Sequence, residues 1–111
     1  MPIIRKGDLS KAFSLICYTR QLTAIEDKDY IGRYTMEQSR IQFAPGEKIK
    51  NCTIEIVNDS IYEPDETFQV KLSDLRGLKD AQFDQLIAAT VTILNEEDGK
   101  LSFTFYYTFL Y

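Results

Sequence analysis

Apolar residues in this chain recur at every second position, in four separate runs. Phe13, Leu15 and Cys17 alternate with Ser14, Ile16 and Tyr18, and Cys52, Ile54 and Ile56 with Thr53 and Glu55. Phe68, Val70 and Leu72 alternate with Gln69, Lys71 and Ser73, and Ala89, Val91 and Ile93 with Thr90 and Thr92. A period of two puts one set of side chains on one face of a strand, whereas a helix needs a period near 3.6. Turn chemistry punctuates the strands: Gly7-Asp8 follows a first short strand, Ile3 to Lys6, and Pro45-Gly46, after Ile41 to Phe43, suits the second and third positions of a turn. Strands are expected over 3–6, 12–20, 23–25, 40–43, 49–57, 66–72 and 87–95. Seven short strands without a convincing helix predict an all-β, antiparallel sandwich.

Composition narrows the functions open to such a sandwich. With 111 residues the chain is one domain, large enough for a real core. Its net charge of −4 argues against nucleic acid or an anionic membrane surface, both of which select for basic patches. The count of His is 0, which removes the commonest general base and the commonest zinc ligand. Two cysteines, Cys17 and Cys52, are too few for a four-sulfur metal site. The opening Met1-Pro2-Ile3-Ile4-Arg5 is not a signal peptide and reads as the start of a domain cut from something longer.

Between two of the alternating runs lies Asn58-Asp59-Ser60-Ile61-Tyr62-Glu63-Pro64-Asp65-Glu66, with four carboxylates and no Lys or Arg. Carboxylate, amide and hydroxyl oxygens are the donors that Ca²⁺ prefers. If 49–57, 66–72 and 87–95 run up, down and up, this bend shares an end of the sandwich with Asn95-Glu96-Glu97-Asp98, a second acidic cluster. Like charges so placed repel, and a divalent cation would bind them together.

The ordered set Ile41-Gln42-Phe43-Ala44-Pro45-Gly46-Glu47, Thr53-Ile54-Glu55-Ile56-Val57-Asn58-Asp59, Tyr62-Glu63-Pro64-Asp65-Glu66-Thr67-Phe68 and Ala89-Thr90-Val91-Thr92-Ile93 resembles the Calx-β domain. Arg5-Lys6-Gly7-Asp8-Leu9, Thr23-Ala24 and Asp29-Tyr30 fit the same pattern. The likeness is strongest to the repeats of the Fras/Frem extracellular-matrix proteins. Other carriers are sodium–calcium exchangers, where the domain senses cytosolic Ca²⁺, and the integrin β4 tail. The resemblance implies an immunoglobulin-like sandwich over 1–98, with 99–111 as an aromatic tail outside the match. It also implies Ca²⁺ ligands at Asp29, Asn58, Asp59, Glu63, Glu66, Asn95, Glu96 and Glu97, with the Ile61 carbonyl as a further oxygen. Asn58, Ser60 and Asn95-Glu96-Glu97 stand where strong calcium-binding members carry Asp, so a Kd of about 10⁻⁴–10⁻³ M is expected. The implied setting is extracellular, in a matrix protein or the ectodomain of a membrane-anchored one. The implied partners are Ca²⁺, neighbouring repeats of the same parent chain and matrix proteins. The resemblance implies no enzymatic activity. Two alternatives are a structural spacer with a degenerate site and an intracellular calcium sensor. A glycosidase using Glu63 and Glu66 is disfavoured, since the chain has no Trp for a sugar cleft.

Four further signals stand apart. Asn51-Cys52-Thr53 and Asn58-Asp59-Ser60 are N-x-[ST] glycosylation triplets; Asn51 is the better candidate, because a glycan on Asn58 would disable it as a ligand. Cys17 and Cys52 take inward positions, which favours a pair of small buried hydrophobes, although the family's strand arrangement also permits a cross-strand disulfide. Lys6-Gly7-Asp8 resembles an integrin-binding tripeptide and reads more simply as a capped turn. From Leu101 to Tyr111 aromatic and small polar residues alternate without a charge; the stretch is too short for a membrane-spanning helix and reads either as an extra edge strand or as a splice- or truncation-derived end, with no function assigned.

Overall fold

A computed structural model describes residues 1–5, 7, 9–57, 65–77, 88–95, 101–104 and 108–110, with 94, 95 and the last two strands described by backbone alone. Among the described residues eight strands form: β1 (Pro2–Arg5), β2 (Phe13–Gln21), β3 (Arg40–Phe43), β4 (Ile49–Asn51), β5 (Glu66–Arg76), β6 (Ala88–Asn95), β7 (Leu101–Thr104) and β8 (Thr108–Leu110). A short 3₁₀ turn, Glu37–Ser39, precedes β3. The strands make a five-stranded sheet in the order β3-β2-β5-β6-β7 and a three-stranded sheet in the order β4-β1-β8. All pairings are antiparallel except that of β1 with β8. The tail thus adds an edge strand to each sheet.

The alternating residues build the core. Phe13, Leu15, Cys17, Phe68, Val70, Leu72, Val91 and Ile93 from the larger sheet meet Ile3 and Cys52 from the smaller side. Phe13 stacks on Phe43 at 4.6 Å between ring centroids, and Tyr30 on Phe68 at 4.0 Å. Arg5, buried on the same inner face, lies over the Phe13 ring at 4.8 Å.

Three expected elements come out differently, each for a local reason. No strand forms over 23–25: the Thr67 N–H donates to Thr23 Oγ1 at 2.7 Å, so a side chain occupies a ladder position. The adjoining Ala24 N–H does reach the Thr67 carbonyl, at 2.8 Å. The run 49–57 keeps its alternation but pairs as a strand only over Ile49–Asn51. Beyond it the neighbour changes from β1 to the 25–34 loop, through a single bridge between Tyr30 and Ile56. β5 continues past 72 to Arg76, with a register shift against β2 between Ser14 and Ile16. Asp74 takes a φ of 50° there, and burial moves from 68, 70 and 72 to Leu75, the parity change of a bulge.

The cysteines are paired. A disulfide joins Cys17 of β2 to Cys52 just after β4, bridging the two sheets with the Cα atoms 6.4 Å apart. This corrects the reading of two unlinked buried hydrophobes. Inward-facing residues on opposite sheets meet across a core, a distance that alternation alone does not supply.

Candidate metal centre

Asp29 sits at the end of the sandwich where the acidic bend begins. It is only 6% exposed. Its Oδ2 accepts the Ile25 N–H at 2.7 Å, and its own N–H donates to the Ile25 carbonyl at 2.8 Å. The Asp29 carbonyl in turn accepts the Val57 N–H at 3.0 Å. One hydrogen bond therefore ties the loop that carries Asp29 to the last residue before the bend.

The rest of the 25–34 loop gives the acidic neighbours of Asp29 bonds of their own. Glu26 Oε1 accepts from Thr19 Oγ1 at 2.6 Å, and the Tyr30 hydroxyl lies 3.5 Å from it. A Cβ at Gly32 would come within 2.6 Å of the Glu26 side chain, so glycine makes room for that carboxylate. Burial, followed by the Glu26 charge, pushes the Tyr30 hydroxyl well above its ordinary pKa. Asp27, in the left-handed region at φ 65°, accepts the Gly32 N–H at 2.9 Å and the Tyr34 hydroxyl. The Tyr34 hydrogen bond holds the Asp27 carboxyl below its usual range, while Tyr34 is pushed up to about 12. Glu26 and Asp27 are thus committed inside the loop.

Arg33 closes the loop on the body of the domain. Its guanidinium donates to the carbonyls of Cys17 at 2.9 Å, Ser39 at 3.1 Å and Thr53 at 3.5 Å, beside the disulfide. Desolvation lowers its pKa. The role of Arg33 was not legible in sequence, because a lone cation in a loop carries no periodic signal.

Two further segments reach the same end. Glu66, half-buried, opens β5 directly after the bend and pairs in register with Ile93 of β6. Two residues later β6 ends at Asn95, where the second acidic cluster starts. The backbone therefore brings Asp29, Val57, Glu66 and Asn95 to one end of the molecule. Asn58, Asp59, Ile61, Glu63, Glu96 and Glu97, like the side chain of Asn95, lie outside the described residues, as do Lys6 and Asp8 of the integrin-like tripeptide. Asn51 does not belong to this group. It is six residues before Val57 along an extended segment, about 20 Å away.

Asp29 and Glu66 suit Ca²⁺ as hard oxygen donors. A nearly buried carboxylate such as Asp29 also calls for positive charge, and among the described residues no Lys or Arg forms an ion pair with it. Among the described residues, no group of three or more His, Cys, Asp or Glu could hold a metal ion. Any metal shell that included Asp29 and Glu66 would need further donors from outside the described residues.

The model of the Calx-beta domain matches residues 1–97. The chain is 44% identical over 101 residues to the extracellular matrix organizing protein FRAS1 of Mus musculus, covering 89% of this chain and 2% of that protein. It is 37% identical over 114 residues to the FRAS1-related extracellular matrix protein 2 of Homo sapiens, covering 95% of this chain and 4% of the relative. The chain thus spans only a small fraction of either relative. A solved structure of the calcium binding domain CBD12 of CALX1.1 superposes with a TM-score of 0.73 at 29% identity, over 85% of this chain and 37% of that one.

Proposed function

The chain belongs to the Calx-beta family, and we propose that it is a Ca²⁺-binding, non-enzymatic repeat of a large extracellular-matrix protein. It is extracellular, as its matrix-protein relatives are, and a buried disulfide between sheets suits an oxidising compartment. The observation that carries the calcium reading is the nearly buried Asp29, bonded through its carbonyl to Val57 at the threshold of the acidic bend. Across the bend, Glu66 returns the chain beside the end of β6. On this reading Asp29, Asp59, Glu63, Glu66 and Glu97 supply the main carboxylates. Asn58, Asn95, Glu96 and the Ile61 carbonyl complete the set. A bound cation would neutralise these like charges and stiffen the junction to a neighbouring repeat. Mutual repulsion would loosen that end without it.

A second reading is a spacer repeat whose site has decayed, favoured by Asn58, Ser60 and Asn95 at positions where strong sites carry Asp. One titration separates the two. Calorimetry and thermal melting from micromolar to about 10 mM Ca²⁺ cover the range of extracellular modules. Saturable binding with a rise in Tm, unmatched by equal Mg²⁺, supports the calcium repeat. A flat response replaces it with the spacer.

A further inference from the structure

Asn51 occupies an unusual place on the smaller sheet. The Cys52 N–H donates to the Met1 carbonyl at 2.7 Å, the Met1 ammonium donates to the Cys52 carbonyl at 3.0 Å, and the Arg5 N–H donates to the Lys48 carbonyl at 2.8 Å. Bonded and non-bonded pairs alternate in an antiparallel ladder. The intervening pairs Pro2–Asn51 and Ile4–Ile49 are therefore the non-bonded ones. The N–H and C=O groups of Ile49 and Asn51 point away from β1, along the free edge that β4 forms among the described strands. The same alternation sends Ile3, Arg5 and Cys52 into the core and Pro2, Ile4, Ile49 and Asn51 to the outer face. Ile49 is 54% exposed there, and Asn51 and Thr53 are exposed as well.

We infer that Asn51 is an N-glycan attachment site, and that its first sugar covers the outward apolar strip of Pro2, Ile4 and Ile49 and screens the β4 edge. Asn51-Cys52-Thr53 meets the acceptor rule. The donor is a polyprenyl-pyrophosphate-linked oligosaccharide of the secretory pathway. The Asn51 amide nitrogen attacks the anomeric carbon, the C1–O bond breaks as the N–C1 bond forms, and the pyrophosphate leaves with the electron pair while the nitrogen releases one proton. In the folded domain the linkage projects into solvent from an outer-face position, so it displaces no core residue. The apolar face of the first sugar lies over a strip that otherwise meets water. Its bulk also blocks the row of unpaired backbone groups that invites edge-to-edge pairing. The site stands clear of the candidate metal centre, so glycan and cation are compatible.

The test is expression of the full chain behind a secretory leader in mammalian cells, followed by peptide-N-glycosidase digestion and peptide mass mapping. The expected result is a mobility shift on digestion with conversion of Asn51 to Asp. The shift should vanish in Thr53→Ala and persist in Ser60→Ala, which removes the second triplet. A secreted wild type that shows no shift, or a shift lost only in Ser60→Ala, overturns the assignment. Thr53→Ala should also begin to aggregate at lower temperature by light scattering; an onset equal to that of the glycosylated wild type overturns the screening role.

Discussion

Replacing both cysteines tests the link between the two sheets most directly. Cys17 and Cys52 are 35 residues apart in sequence, and both are fully buried. Closing a loop of that length removes entropy from the unfolded chain worth about 4 kcal/mol at 25 °C. Alanine at both positions adds about 1 kcal/mol for the lost sulfur contacts. Domains of this class have total stabilities of about 5–15 kcal/mol, so the change is a large fraction of the whole. At an unfolding entropy of about 2.1 cal/mol/K per residue, a loss of about 4–5 kcal/mol lowers Tm by roughly 15–20 °C for a chain of 111 residues. The assay is thermal unfolding by circular dichroism of oxidised wild type, wild type with reductant, and Cys17→Ala/Cys52→Ala. The last two should melt close together and far below the first. A double variant melting within about 5 °C of the oxidised protein would refute the reasoning. A reductant-insensitive Tm with both thiols open to labelling after unfolding would restore the reading of two separate buried hydrophobes.

Four other perturbations probe different parts of the molecule. Glu66→Gln should weaken Ca²⁺ binding by about tenfold, about 1.4 kcal/mol, while leaving the apo melting curve in place; unchanged affinity by calorimetry removes Glu66 from the ligand set. Gly77→Ala should destabilise by about 1–3 kcal/mol in urea titrations, because φ is +101° and the new Cβ would meet the Ala12 carbonyl oxygen at 2.9 Å. Acid should erode the surface network: Asp27, Glu37, Glu47 and Asp74 are all held below their ordinary pKa values of 3.8 for Asp and 4.5 for Glu, chiefly by hydrogen bonds from Tyr34, Arg40, Lys50 and Arg40 respectively. A depressed carboxylate stabilises the fold above its unfolded pKa, and that contribution is lost as pH falls through the lower folded value. Tyr34→Phe should raise the Asp27 pKa toward 3.8 in an NMR titration, and an unmoved Asp27 would discard Tyr34 as the cause.

Much of the sandwich was legible because its strands are half-buried and regular. The positions 13, 15 and 17, then 68, 70 and 72, then 89, 91 and 93, are the inward faces of β2, β5 and β6. What escaped the alternation was decided by single contacts between distant residues. Thr23 replaces a backbone acceptor with a hydroxyl, and Asp74 inserts one extra residue into β5. The site was legible to a different depth. The convergence of the chain ends at Val57, Glu66 and Asn95 follows from strand direction, whereas Asp29 entered through family likeness alone. The contacts that hold its neighbours Glu26 and Asp27, from Thr19, Gly32 and Tyr34, span five to seven residues and carry no pattern of their own.

The segment 52–57 connects these observations. Cys52 is held to β2 by the disulfide, the Thr53 carbonyl accepts from Arg33, the Glu55 carbonyl accepts the Ile31 N–H at 2.9 Å, and the Val57 N–H reaches Asp29. These ties lace the segment to the body of the domain and to the loop that carries Asp29, so Val57 is held at a defined place relative to that residue. Tyr30, stacked on Phe68, anchors the loop from beneath. Among the described residues, contacts within the protein already position Asp29, so on the proposed reading a cation need not order it. On the proposed calcium reading, the affinity depends on how many charges the bend and the 95–97 cluster contribute. That is where this chain carries Asn58 and Asn95, and it is the physical reason to expect a site matched to millimolar rather than micromolar Ca²⁺.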